Sequence, residues 1–279
     1  MLGAVTAPTS PRRAAVLGSP IAHSLSPVLH RAAYAELGLD GWEYGMHECD
    51  ESGLPGFVDG LGPEWAGLSL TMPLKRVALE VADEVSPLAA ATGAANTLVL
   101  RPGGRFADNT DVAGIVAALG PGTGGTALVL GAGGTAQAAL AALRELGISD
   151  VTVAVRSVAR AGELRAAAER LGIDPDVEPL LAADTPALPA ADVVISTLPG
   201  RAADHLGARV IPGATVLDVV YAPWPTPFAA AAAANGARVV SGLEVLLHQA
   251  VAQVELMTGR PGPVAAMRSA LDAAVAARA

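Results

Sequence analysis

Thr126-Ala127-Leu128-Val129-Leu130-Gly131-Ala132-Gly133-Gly134-Thr135-Ala136 is the stretch that decides the fold. Its first five residues carry no charge, as expected of a strand buried on both faces. A glycine turn follows, and then an alanine- and leucine-rich helical pattern over 134–147. Strand, turn and helix in that order match the G-x-G-x-x-G/A arrangement that holds a dinucleotide. Gly131 permits the tight turn, Gly133 lets the backbone approach a pyrophosphate, and Ala136 is small enough for helix–sheet packing. Ala132, Gly134 and Thr135 complete the turn, where a helix N-terminus offers free N–H groups and a positive dipole to phosphates.

Downstream, strand patterns at 151–155, 191–196, 215–220 and 237–240 alternate with helical ones, including 158–171. Such β-α-β alternation implies a doubly wound parallel sheet. The second strand ends Ala154-Val155-Arg156-Ser157, with Arg160 one turn later. An NAD enzyme places an acid at this strand end to accept from the ribose 2′-hydroxyl. An arginine fork and a hydroxyl suit a 2′-phosphate instead, so NADP is the expected cofactor. A methyltransferase using S-adenosylmethionine carries similar glycines but usually wants an acid here too, and none is present.

Upstream, Ala14–Gly18, Trp42–Cys49 and Gly67–Thr71 read as strands, and Leu98–Leu100 and Gly104–Ala107 as a pair joined by a glycine turn. Ser26-Pro27 reads as an N-cap followed by proline at N1, and a further helix is expected from about Pro73. The run Pro121-Gly122-Thr123-Gly124-Gly125 reads as a hinge. From Leu243 to Met257 an apolar helical face recurs, with Gln249 at its edge. The expected organisation is α/β throughout. A substrate-binding catalytic domain spans 1–112, a Rossmann-type NADP-binding domain 113–242, and C-terminal helices over 243–279 return to the first domain.

Composition narrows the chemistry. A net charge of −9 over 279 residues argues against a nucleic-acid partner. The single cysteine, Cys49, excludes a disulfide framework, and the five histidines lack metal-ligand spacing, so no metal is expected. No apolar run approaches the roughly 18–20 residues that span a bilayer. The opening residues lack the features of a signal peptide, so a cytoplasmic location is expected. Lys75 is the one lysine among eighteen basic residues. Unlike guanidinium, a lysine amine can lose and regain a proton at working pH.

Four further segments put polar groups on tight backbone: 18–27, 67–75, 93–97 and 108–111. Singly, Ser26 or Asp111 can be a helix cap and Asn96 a turn residue. Together they bring hydroxyls, an amide, a carboxylate and an ammonium to strand ends, where open α/β sheets build clefts.

In the order of these segments the chain resembles the shikimate dehydrogenase family. The resemblance spans the Ser-x-Ser-Pro loop at 24–27, Thr71-x-Pro73-x-Lys75, Gly93-Ala94-x-Asn96-Thr97, Asn109-Thr110-Asp111 and the glycine turn. It continues through Asp218-Val219-Val220-Tyr221-Ala222-Pro223, Thr226-Pro227, and Gly242 to Gln249-Ala250. It implies reversible NADPH-dependent reduction of 3-dehydroshikimate to shikimate by a monomer or homodimer. It further implies that Ser24, Ser26 and Tyr221 bind the substrate carboxylate. Thr71, Lys75, Asn96, Asp111 and Gln249 would bind ring hydroxyls, with Lys75 and Asp111 also handling the proton. Thr197, Leu198, Val219 and Gly242 would line the nicotinamide side. Five positions depart from the family's habit: Ser69 and Arg31 for asparagine, Val155 and Ser157 in Val155-Arg156-Ser157 for Asn-Arg-Thr, and Val245 for methionine. A quinate/shikimate dehydrogenase with broader cofactor use and a non-catalytic homologue binding the same ligands are the alternatives.

Overall fold

The computed structural model describes residues 11–180 and 188–278. The opening ten residues, where the leader reading falls, lie outside that range. The chain forms two compact units. The first holds the described residues up to Ser86, Ala94–Thr110, and those from Ala250 onward; the second holds Pro87–Gly93 and Asp111–Gln249. The glycine-rich run at 121–125, expected as a hinge, therefore lies inside the second unit.

The first unit is built on a six-stranded mixed sheet. Its strands are β1 (Arg12–Gly18), β2 (Trp42–Glu48), β3 (Trp65–Leu70), β4 (Glu84–Val85), β5 (Thr97–Arg101) and β6 (Gly104–Asp108), in the order β2-β1-β3-β5-β6-β4. β1 pairs parallel with β2 and β3, while β5 is antiparallel to both β3 and β6. Helix Ser26–Glu36 buries Leu29, His30, Ala33 and Tyr34. Tyr34 then packs with Val16, Tyr44 and Met257 in a core at the β1–β2 side. Gly67 is glycine because a Cβ there would collide with the Leu98 carbonyl and the Met257 side chain.

The second unit carries six strands: β7 (Thr126–Leu130), β8 (Asp150–Val155), β9 (Asp176–Pro179), β10 (Val193–Ser196), β11 (Thr215–Asp218) and β12 (Arg238–Ser241). All neighbours are parallel, in the order β12-β11-β10-β7-β8-β9. This is the dinucleotide-fold order, with its switch point between β7 and β10. Leu128, Val129, Val153, Val193, Ile195, Val216 and Leu217 are nearly inaccessible, as both-face burial requires. Helix Gly134–Glu145 lays a face of small residues, Ala136, Ala138, Ala139, Ala141 and Ala142, into the core. Helix Gly242–Thr258 belongs to both units, the division falling after Gln249.

Local details differ from expectation. Ser26 is the first helical residue rather than the N-cap, a place taken by Leu25 without a side-chain cap. The segment after Pro73 is a turn, and helix begins only at Val77. The helix expected over 158–171 is a 3₁₀ turn, Val158–Arg160, followed by helix Gly162–Leu171. Strands β4 and β9 went unread in the sequence.

Candidate active site

In the first unit, one end of the sheet gathers the ends of five strands. Gly18 lies opposite Glu48, Leu17 opposite Leu70, Ser69 opposite Thr97, and Thr97 opposite Asp108. The loops leaving this edge are zipped to one another through their backbones. Thr71 N–H donates to the Leu17 carbonyl and Ser19 N–H to the Met72 carbonyl, each at 3.0 Å; Ala95 N–H donates to the Lys75 carbonyl at 2.7 Å. A Cβ on Gly18 would strike the Thr71 side chain and the Met72 carbonyl, so the close approach of these loops requires glycine. Thr71, the half-buried Lys75 and Asn96 are thereby held at one edge.

Ser24 stands on the loop after β1, and Ser26 opens the helix that follows it. Glu48 fixes that loop from below, accepting from Ser19 Oγ at 2.6 Å and from Ile21 N–H at 3.1 Å. Ser24 Oγ accepts from Ser26 N–H at 3.3 Å, which relates the two hydroxyl-bearing residues. Asn96 is 2% exposed. Its Oδ1 accepts from Thr97 Oγ1 and Thr110 N–H at 2.8 Å and from Thr110 Oγ1 at 3.0 Å. Glu48 was missed in the sequence because an acid ending an edge strand looks like ordinary surface charge.

Two departures acquire structural roles. Ser69 Oγ accepts from the Tyr44 hydroxyl at 2.6 Å inside the core. Arg31 places Nε and a terminal nitrogen on the Tyr44 carbonyl, at 3.1 and 2.8 Å, and so anchors β2. His30 stacks on Tyr44 with ring centroids 4.0 Å apart. Burial drives its pKa from 6.5 down to about 3, against a smaller opposing pull from its hydrogen bond to Gln253.

In the second unit, Leu130, Ala154, Ser196, Asp218 and Ser241 are level across five strands. The residues that follow them, Gly131, Val155-Arg156, Thr197, Val219 and Gly242, therefore share the carboxyl edge. This is where ligands bind in open α/β sheets. Gly131 has φ +112°. A Cβ there would run into Thr197 Oγ1 and Leu198, which brings the glycine turn against two residues expected on the nicotinamide side. Gly242 and Val219 meet as closely, since a Cβ on Gly242 would overlap the Val219 backbone.

At Gly133 a Cβ would enter open space, and helix Gly134–Glu145 begins with no side-chain cap on its N–H groups. Such an uncapped, unobstructed helix start fits a pyrophosphate. Arg156 and Arg160 are exposed and Ser157 half-buried at the end of β8. Asp218 accepts from Thr226 Oγ1 at 2.6 Å and Val220 N–H at 3.2 Å, bracing the loop that carries Val219 and Tyr221. Burial pushes its carboxyl pKa up, only partly offset by these hydrogen bonds.

Asp111 opens helix Asp111–Leu119 and is 8% exposed. Three residues on, a Cβ at Gly114 would meet the Val245 carbonyl and Gln249, so this helix approaches the one bearing Gln249 closely. Lys75 belongs to the first unit, and Asp111, Tyr221 and Gln249 to the second. No group of metal-ligating side chains occurs among the described residues, and no helix there is long and apolar enough to cross a membrane.

A six-stranded parallel sheet with a glycine turn at its switch point, together with a mixed α/β unit presenting hydroxyl, amide and ammonium groups, defines a dinucleotide-dependent oxidoreductase of two α/β units. Comparison with known proteins gives the family. Residues 16–98 match the shikimate dehydrogenase substrate binding domain, 118–202 the shikimate / quinate 5-dehydrogenase domain, and 242–271 the shikimate 5'-dehydrogenase C-terminal domain. Shikimate dehydrogenase (NADP(+)) of Methylobacterium radiotolerans is 40% identical, over 95% of this chain and 98% of its own. The crystal structure of Mycobacterium tuberculosis shikimate dehydrogenase superposes with a TM-score of 0.84 at 49% identity, covering 95% of this chain and all of that one (100%). That of the Thermus thermophilus enzyme in complex with NADP(H) and shikimate gives 0.82 at 34% identity, over 94% and 99% of the two chains. The chain belongs to the shikimate dehydrogenase family.

Proposed function

We propose that this protein is an NADP-dependent shikimate dehydrogenase, catalysing the reversible reduction of 3-dehydroshikimate to shikimate on the route to chorismate and the aromatic amino acids. The observation that carries this reading is the loop zipper that holds Thr71, Lys75 and Asn96 at one sheet edge in a chain of this family. The substrate-binding domain is residues 1–112, joined by the helices of 243–279, and the NADP-binding domain is 113–242.

NADPH, when bound, supplies the hydride to the substrate carbonyl. Hydride addition leaves negative charge on the former carbonyl oxygen, which needs a proton donor or a cation within hydrogen-bond reach. Lys75 meets that need as an ammonium, and Asp111 shares with it the handling of the proton. Ser24, Ser26 and Tyr221 hold the ring carboxylate, while Thr71, Asn96 and Gln249 hold ring hydroxyls. The backbone of Gly131 to Ala136 receives the pyrophosphate, and Arg156, Ser157 and Arg160 the 2′-phosphate. Thr197, Leu198, Val219 and Gly242 shape the nicotinamide side. The enzyme works in the cytoplasm as a monomer or homodimer.

A steady-state comparison of shikimate and quinate, each with NADP and NAD, tests the reading. Shikimate with NADP is expected to dominate kcat/KM. Comparable efficiency with quinate would reassign the chain to the broader quinate/shikimate enzymes. Stabilisation by shikimate without any NADP reduction would make it a binding protein.

A further inference from the structure

Gln253, one turn beyond Gln249 and 1% exposed, has no role in the chemistry above yet joins four buried polar residues of the first unit, His30, Ser69, Asn96 and Thr97. Its Oε1 accepts from Ser69 Oγ at 2.7 Å and faces His30 Nε2 at 3.2 Å. Its Nε2 donates to the Asn96 carbonyl and to Thr97 Oγ1, both at 3.1 Å.

Counting protons gives this network a single direction. Tyr44 donates to Ser69 Oγ, which leaves the Ser69 proton for Gln253. An amide oxygen only accepts, so His30 donates from Nε2 and is the neutral tautomer with a bare Nδ1, an atom that has no partner. Both Gln253 amide protons are committed. Thr97 Oγ1, accepting one of them, has its single proton left for Asn96 Oδ1. With Thr110 adding two more donors, Asn96 Oδ1 receives three hydrogen bonds. The orientation of the Asn96 amide is thereby fixed, with its nitrogen on the side away from this cluster.

We propose that Gln253 is a positioning residue for substrate recognition. It sets the direction of the chain from Tyr44 through Ser69 and Thr97 and, together with the backbone N–H of Thr110, keeps the Asn96 oxygen turned to the cluster, so that Asn96 offers amide protons, and not its oxygen, to a ring hydroxyl of shikimate. Ser69 suits this glutamine, because its hydroxyl accepts from Tyr44 and donates to Oε1 at once. The inference rests on the reading that Asn96 binds substrate.

The test is a double-mutant cycle in the full-length protein, reading the shikimate dissociation constant beside the KM for NADP. Gln253→Met keeps an unbranched side chain of similar length but removes both amide functions. It is expected to weaken shikimate about 5–20-fold, the scale of one or two lost hydrogen bonds, with the NADP KM unchanged. In an Asn96→Ala background the same substitution should cost less than about twofold, because the two act through one contact. An equal factor in both backgrounds, a parallel loss of NADP affinity, or unaltered shikimate binding would overturn the proposal. Should Gln253→Met fail to fold, Ser69→Ala must show the same direction and the same masking by Asn96→Ala. Wild-type turnover separates the two levels. An active wild type with no coupling in the cycle removes Gln253 alone, whereas a wild type that does not bind shikimate removes both readings.

Discussion

Thr197 donates its hydroxyl to the Leu130 carbonyl across 2.8 Å and its backbone N–H to the same oxygen at 2.9 Å. The ends of β7 and β10 are thus tied together at the sheet's switch point, and Gly131 is left between them at φ +112°. Gly131→Ala adds a methyl against Thr197 Oγ1 in a backbone region that side chains avoid. The expected loss is about 1–3 kcal/mol of stability from backbone strain. NADP binding should weaken by tenfold or more, because relief of the clash moves the turn proposed to receive the pyrophosphate. Denaturant unfolding and a cofactor titration on the same preparation read both effects; an unchanged NADP constant would place the pyrophosphate elsewhere.

Arg156 stands exposed just past the end of β8, with Ser157 beside it. With no carboxylate at this strand end, the proposed function assigns discrimination between cofactors to the guanidinium. Arg156→Ala is expected to weaken NADPH binding by about 1.5–3 kcal/mol, the worth of a hydrogen bond to a charged group. NADH, which lacks the 2′-phosphate, should bind the variant and the parent equally. Equal losses for both cofactors would mean that Arg156 serves the fold of the turn.

The parts of this architecture legible in the sequence are those where burial dictates composition. β7 and β10 are apolar because both faces are covered, and the glycine turn is written by a backbone angle. β9 reads Asp-Val-Glu-Pro and β4 only Glu-Val, so edge position and brevity erased the signal. The turn at 72–76 looked like a helix start. Its Met72 and Lys75 carbonyls are instead taken by Ser19 and Ala95, partners that no local pattern reveals. Gln253 was hidden in the same way. On an apolar helix that already carries Gln249, a second amide reads as tolerated polarity until Asn96, 157 residues away in sequence, is found beside it.

His30 makes stability depend on pH in a calculable direction. Buried and neutral, it resists protonation down to about pH 3, whereas the unfolded chain takes up that proton near 6.5. Below pH 6.5 the unfolded state binds more protons, so stability falls with pH, by about 1.4 kcal/mol per unit from this residue once it is protonated only in the unfolded chain. His30→Phe keeps a ring against Tyr44 and removes the titration. Between pH 6.5 and 5 its unfolding free energy should therefore decline less steeply than the wild type's, although its value at pH 7 is lower through the lost hydrogen bond to Gln253. Parallel slopes in denaturant titrations at several pH values would show that His30 is not the group responsible.

Lys75 separates charge from proton transfer. Its carbonyl is fixed by Ala95 N–H, so the turn keeps its shape whatever side chain it carries. Lys75→Ala is expected to lower kcat by about 10²–10⁴-fold, the range for a positioned acid–base group. Should kcat hold while KM for shikimate rises, Lys75 would be a binding residue only. Lys75→Arg keeps the positive charge but holds its proton far more tightly and spreads its donors over a wider plane. A residual rate near that of Lys75→Ala points to proton transfer by the ammonium. Recovery of most of the rate points to charge stabilisation, with the proton arriving from another donor. Comparing kcat for the two variants across pH decides which property of this one lysine the reaction uses.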